Sequence, residues 1–174
     1  MTLINRSDNS YENQRVGIFV DVQNLYHSAK NLYHGRVNYR ELIKYLIGSR
    51  QLIRAVAYVV RSETAAGEAS FFEALEKSGL ELRSKELQIY PDGTKKADWD
   101  IGMAVDAIRM ASFLDVVVLG TGDGDFMPLI DYLKWGMGRF VEVAAFRRSA
   151  SAKIQEAADR FVNIEEIPRI IIKK

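Results

Sequence analysis

Short, nearly unbroken apolar runs alternate with longer helix-like segments from residue 16 to residue 167. The runs are VGIFV (16–20), IRAVAYVV (53–60), LELRSKELQI (80–89), DVVVLG (115–120), RFVEVAAF (139–146) and FVNIEEI (161–167). VGIFV, IRAVAYVV and DVVVLG are rich in β-branched residues and almost continuously apolar, as strands buried on both faces read. Helices are predicted at 22–34, 64–78, 97–113, 125–135 and 151–160. Another runs from the Asn38-x-x-Glu41 capping pattern to Gly48. Strand–helix alternation predicts an α/β fold, a mainly parallel sheet with helices on both faces and right-handed crossovers. Nothing in 16–167 reads as a repeat or linker, so one domain is expected. The polar residues 1–15 read as a flexible tail. The end, IPRIIIKK, reads as an edge strand, or alternatively as a tail that binds a partner; residues 168–174 lie outside the predicted domain.

Composition narrows the picture a little. The chain has 174 residues, 48% hydrophobic and 27% charged, which suits one globular core. A net charge of +1 excludes a strongly basic nucleic-acid coat but not a locally basic groove. There are no cysteines, so thiolate chemistry and cysteine-based zinc sites are excluded. No window reaches the roughly 18 apolar residues of a membrane span, and the first residues lack a secretory core. A cytoplasmic location is expected.

Ligands of open α/β sheets bind outside the carboxyl ends of the strands, so the residues after each apolar run matter most. Asp21 and Asn24 follow VGIFV. Thr121, Gly122, Asp123, Gly124 and Asp125 follow DVVVLG, and Asp98 and Asp100 precede the helix near 101. A parallel sheet brings these acidic groups to one edge. Clustered carboxylates repel unless a cation offsets them, and oxygen-only ligands favour Mg²⁺ or Mn²⁺ over Zn²⁺. Such an ion clamps phosphate oxygens and lowers the pKa of a water.

Each acid also has a plainer reading. Asp21 caps a helix as readily as it binds a metal. Asp125 reads as an N-cap with Pro128 in the first turn, Asp123 as a turn residue and Asp100 as a first-turn acid. Asp106 reads as an exposed partner of Arg109. Periodicity leaves open whether Asp98 or Asp100 faces the cluster. GTGDGDF matches neither G-x-x-x-x-G-K-[ST] nor G-x-G-x-x-G, and it is not an EF-hand loop. Candidate cations for a phosphate backbone are Arg61, Lys95, Lys96, Arg147 and Arg148, beside a helix start at Ser149 and Ser151. Tyr26, Tyr33 and Trp99 are candidates for base stacking, although aromatics at helical spacing are more often core.

FVDVQNLY, KKADWDIGMAVDA and VVLGTGDGDFMPLIDYLKWG together resemble the NYN domain family, in its LabA-like branch, a relative of the PIN-like nucleases. The resemblance spans roughly 16–167. It implies a Rossmann-like three-layer α/β/α sandwich and metal-dependent cleavage of RNA. The family's first acid falls on Asp21, with Asn24 as companion; the second falls on Asp100; the third falls on Asp123, followed by Asp125. On this reading Asp21, Asp100 and Asp123 hold Mg²⁺ or Mn²⁺. Asp125 adds a ligand or orients a water, and Asn24 positions that water. Thr121, Lys96, Arg147 and Arg148 face the substrate.

A second function of a different class stands beside this one: a non-catalytic regulator that binds RNA or a protein partner through the same edge. A phosphatase of haloacid-dehalogenase type is disfavoured, because Val22-Gln23 follow Asp21 where D-x-D is required. A homodimer is expected on the ground that a long RNA groove needs more basic surface than one chain offers.

Overall fold

The computed structural model describes residues 12–62 and 66–173. Up to residue 11, the predicted N-terminal tail lies outside the described residues. VGIFV becomes β1 (Arg15–Asp21) and IRAVAYVV becomes β3 (Gln51–Arg61). Between them lie α1 (Val22–Tyr33), β2 (Gly35–Val37) and α2 (Tyr39–Ile47). Asn38 caps α2 as its sequence predicts, accepting from the Glu41 amide at 3.3 Å, and Gly48 ends that helix at φ 57°.

The chain continues through α3 (Glu68–Lys77), β4 (Glu81–Glu86), a small hairpin of β5 (Gln88–Ile89) and β6 (Lys95–Lys96), and α4 (Asp100–Ala111). β7 (Val116–Gly120), α5 (Met127–Asp131), β8 (Phe140–Ala145), α6 (Ala152–Ala157), β9 (Arg160–Asn163) and β10 (Ile171–Lys173) complete it.

Six strands form one sheet in the order β4-β3-β1-β7-β8-β9, and every neighbouring pair is parallel. Counted along the chain within this sheet, the order is 3-2-1-4-5-6, that of a doubly wound sheet. Its winding reverses between β1 and β7. Alternate residues feed two cores. Val16, Ile18, Val20, Val116 and Val118 pack towards α1, α2 and α3. Phe19, Val117, Leu119, Val141 and Val143 pack towards α4, α5 and α6. The result is three layers, helices–sheet–helices, as predicted.

Several boundaries differ from the sequence reading. LELRSKELQI divides after Glu86, and its last residues pair antiparallel with Lys95–Lys96 away from the sheet. β4 is an edge strand with mostly exposed side chains, so no burial pattern holds the run straight. FVNIEEI stops at Asn163, whose side chain accepts from the Glu165 amide and starts a 3₁₀ turn. The predicted 125–135 helix is a 3₁₀ turn at Gly124–Phe126, then α5, then a π turn at Tyr132–Gly136. The 151–160 helix shortens to α6 because Ala158 is extended. IPRIIIKK does form a strand, but it pairs antiparallel with β2 rather than with an edge of the main sheet. Gly35 makes this possible: a β-carbon there would lie 2.9 Å from the Ile172 carbonyl oxygen.

Glu142, on β8, is 2% exposed; Arg50 donates to it at 2.8 and 3.1 Å, and the half-exposed Arg160 lies 3.6 Å away. Arg50→Met removes both short bonds and leaves this buried carboxylate only the longer contact with Arg160, which should cost about 3 kcal/mol of unfolding free energy. Arg54→Met breaks a solvent-exposed pair with Glu81 and should leave the denaturation midpoint near wild type. Urea unfolding of both variants checks the contrast.

Candidate active site

β1 and β7 end side by side, with Val20 paired to Gly120, so the residues that follow both strands meet at the reversal point. Asp21 caps α1: its Oδ1 accepts from the Asn24 amide at 3.2 Å. Its Oδ2 accepts from the Thr121 hydroxyl at 3.2 Å, and the Thr121 oxygen accepts in turn from the Asp123 amide at 3.2 Å. Thr121 is fully buried. Asn24 Oδ1 accepts from the Gly122 amide at 2.8 Å, clamping the loop after β7 to the first turn of α1. The glycines of this loop allow close packing: a β-carbon on Gly122 would lie 3.0 Å from the Ala150 Cα, and one on Gly124 3.0 Å from Ser151 Oγ.

Asp123 caps the 3₁₀ turn by accepting from the Asp125 amide at 2.9 Å. The cap expected of Asp125 therefore belongs to Asp123, which leaves the Asp125 carboxylate exposed and uncommitted. Asp100 opens α4. One carboxylate oxygen from each of Asp100, Asp123 and Asp125 lies within 4.8 Å of the other two. Asp21 sits beside this trio rather than within it, and its charge acts on Asp100. Asp98 is exposed outside the trio.

Trp99 decides between the two neighbouring acids. Its indole N–H donates to the Val59 carbonyl at 2.8 Å and its ring packs 5.3 Å from Tyr58 and against Gly102. Anchoring Trp99 turns Asp100 into the cluster. It also ties the half-buried Trp99 to the end of β3.

The electrostatics follow from this crowding. Burial, then the charges of Asp123, Asp21, Asp98 and Asp125, push the Asp100 carboxyl up to about 6. Burial also raises the Asp21 carboxyl, opposed by its bonds from Asn24 and Thr121. Among the described residues, no Lys, Arg or His forms an ion pair with Asp21, Asp100, Asp123 or Asp125. Hard oxygen donors packed this closely without a protein cation suit Mg²⁺ or Mn²⁺.

The predicted cations are distributed less simply. Arg148 pairs with Glu165 at 3.0 Å and lies over the Tyr33 ring. Arg147 is exposed over Phe161, and Lys96 is exposed on β6. The Ser151 amide is taken by the Gly122 carbonyl at 2.9 Å. Sequence reasoning missed Lys85, which donates to the Asp98 carbonyl at 3.1 Å and lies 4.5 Å over Trp99. The alternating charges of β4 carry no sign of that contact. Asp106 also differs from expectation. It is buried, accepts from the Tyr58 hydroxyl at 2.8 Å and pairs with Arg83 at 3.1 Å instead of with Arg109.

A model of the NYN domain matches residues 15–165. The chain belongs to the NYN domain family. The low amplitude and bright protein LabA of Synechococcus elongatus is 23% identical over 172 residues, covering 94% of this chain and 91% of that protein. A crystal structure of a protein of unknown function from Vibrio parahaemolyticus superposes with a TM-score of 0.85 at 29% identity. It covers 96% of this chain and 99% of the other. Among the described residues of this NYN domain, no helix is long and apolar enough to cross a membrane.

The raised Asp100 carboxyl has a defined linkage sign. The folded protein holds this proton more tightly than the unfolded chain, so Asp100 favours unfolding once it ionises. With EDTA present, Asp100→Asn should therefore match wild type at pH 3, gain stability over wild type as pH rises from about 4 to about 6, and keep a constant advantage above that. Thermal melts across this range check the divergence; a difference that stays unchanged from pH 3 to about 6 contradicts it.

Proposed function

We propose that this NYN domain is a metal-dependent ribonuclease that hydrolyses RNA phosphodiesters at the β1/β7 edge. The observation that supports this reading is the trio of Asp100, Asp123 and Asp125, with Asp21 alongside, none of them in an ion pair with a described Lys, Arg or His. The trio would hold Mg²⁺ or Mn²⁺, with Asp21 as the further carboxylate that the family resemblance assigns. When bound, the ion neutralises the phosphate charge and lowers the pKa of an attacking water.

The remaining work falls to the chain. Thr121 fixes Asp21, which accepts the proton of the attacking water. The water oxygen bonds to phosphorus, the ester P–O bond breaks with its electron pair on the departing ribose oxygen, and that oxygen takes a proton from solvent, while Asp21 returns its own to solvent. Asn24 spends its Oδ1 on Gly122 and keeps its Nδ2 as a donor for a phosphate oxygen. Lys85, Lys96 and Arg147 supply positive charge for the flanking backbone.

The competing reading is a module that binds RNA or a protein partner through this edge without cleaving. It is favoured by the pairing of Arg148 with Glu165, which removes one predicted phosphate contact. A cytoplasmic site of action and a homodimer belong to the same proposal; light scattering that finds only monomers removes the dimer.

The test is incubation with labelled single-stranded RNA and Mn²⁺, beside EDTA and beside variants. Loss of residues that merely support metal ligands lowers activity about 10–100-fold. Thr121→Ala should fall in that range, and Asp123→Asn should lose about a hundredfold or more. Cleavage that survives EDTA or Asp123→Asn contradicts the mechanism, and intact RNA in the wild-type reaction favours the binding module.

A further inference from the structure

A pocket of 460 Å³ opens between the first turns of α1, the end of β3 and α3, within the size range of small-ligand sites. Its walls are Gln23 and Tyr26 of α1, Val59 and Val60 at the end of β3, and Phe71 and Phe72 of α3. Two links connect it to the acidic site. Gln23 lies two residues beyond Asp21 on the helix that Asp21 caps. The Val59 carbonyl accepts the indole N–H of Trp99, the residue before Asp100.

The lining joins aromatic faces to unspent polar groups. Tyr26 is 37% exposed and meets His27 edge-on at 5.4 Å. Arg36, from β2, also lines the pocket, and its guanidinium has no hydrogen bond or ion pair among the described residues. Gln23 is exposed and its amide is likewise uncommitted. Glu68 accepts from the Ser62 amide at 3.1 Å, and this carboxylate repels phosphate while suiting an exocyclic amino group. A flat ring with polar edges, attached to an anion, satisfies all of these groups together. A purely apolar ligand would leave the Arg36 guanidinium desolvated without a partner.

We propose that this pocket receives an unpaired RNA base from the nucleotide adjoining the phosphate at the carboxylates. Tyr26 and Phe71 flank the ring, Gln23 and Glu68 face its hydrogen-bonding edge, and Arg36 meets the adjoining phosphate. The inference rests on the ribonuclease reading and names the substrate feature that this site selects: a single-stranded base rather than a duplex groove.

The experiment is fluorescence anisotropy of the full chain with a labelled single-stranded RNA heptamer and with the same oligonucleotide made abasic. Ca²⁺ is included to neutralise the carboxylates, and gels check that the RNA stays intact. Wild type should prefer the base-bearing oligonucleotide by about tenfold or more. Tyr26→Ala should lose that preference while binding the abasic oligonucleotide as before, and Arg36→Ala should weaken both alike. Equal affinity of wild type for the two oligonucleotides, binding of neither, or a preference that survives both Tyr26→Ala and Gln23→Ala overturns the pocket. The two readings separate cleanly. A Tyr26-dependent preference without Mn²⁺-dependent cleavage leaves the base pocket standing and removes the nuclease, whereas cleavage without any base preference does the reverse.

Discussion

Four carboxylates converge where the winding of the sheet reverses, and their mutual repulsion is the constraint that the surrounding structure has to withstand. Asp100, Asp123 and Asp125 approach within 4.8 Å, and Asp21 adds its field from the end of β1. Repulsion of this kind is relieved by protonation, by a cation or by the chain moving apart. Burial first, and then the neighbouring charges, push the Asp100 carboxyl up to about 6, so part of the repulsion is met by the first route. Movement is limited because three of the four acids are tied to rigid elements, Asp125 alone keeping an exposed carboxylate. Asp21 is both strand end and helix cap, Asp123 caps its own turn, and Asp100 is set by the half-buried indole next to it. A divalent cation is the other route, and the proposed ribonuclease reading rests on what such an ion would do to phosphate.

The fold supplies this rigidity through close approaches at the loop after β7. Asn24 and Thr121 join β1, α1 and β7 into one hydrogen-bonded unit. Gly122 and Gly124 let the loop lie against Ala150 and Ser151, so the segment after β8 backs it. The base pocket shares two of these supports, α1 and the Val59–Trp99 bond, so phosphate and base would be held by one rigid frame.

Much of this was legible in the sequence for a physical reason. A strand buried on both faces must end where polar residues begin, so Asp21 and the Thr121–Asp125 loop announced themselves as edge residues before any coordinates. The α/β layering was legible from the same alternation. What was not legible depends on side chains meeting across elements. Asp98 and Asp100 are equivalent in pattern, and only the packing of Trp99 on Gly102 separates them. Asp106 pairs with Tyr58 because α4 lies across β3, a contact between residues far apart in the chain. Arg148 looks free in sequence and finds Glu165 only when the turn after β9 folds back. The pairing of β10 with β2 was hidden because β2 is three residues long and carries no run of its own.

The most direct test of the central claim is calorimetric titration of the metal-free protein with Mn²⁺ at pH 6 and pH 8, each in two buffers of different ionisation enthalpy. Asp100 is partly protonated near pH 6, so binding there should release protons; at pH 8 it should release almost none. Asp123→Asn should abolish binding at both. Absence of Mn²⁺ binding by the wild type, or undiminished binding by Asp123→Asn, would contradict a cation-stabilised carboxylate cluster.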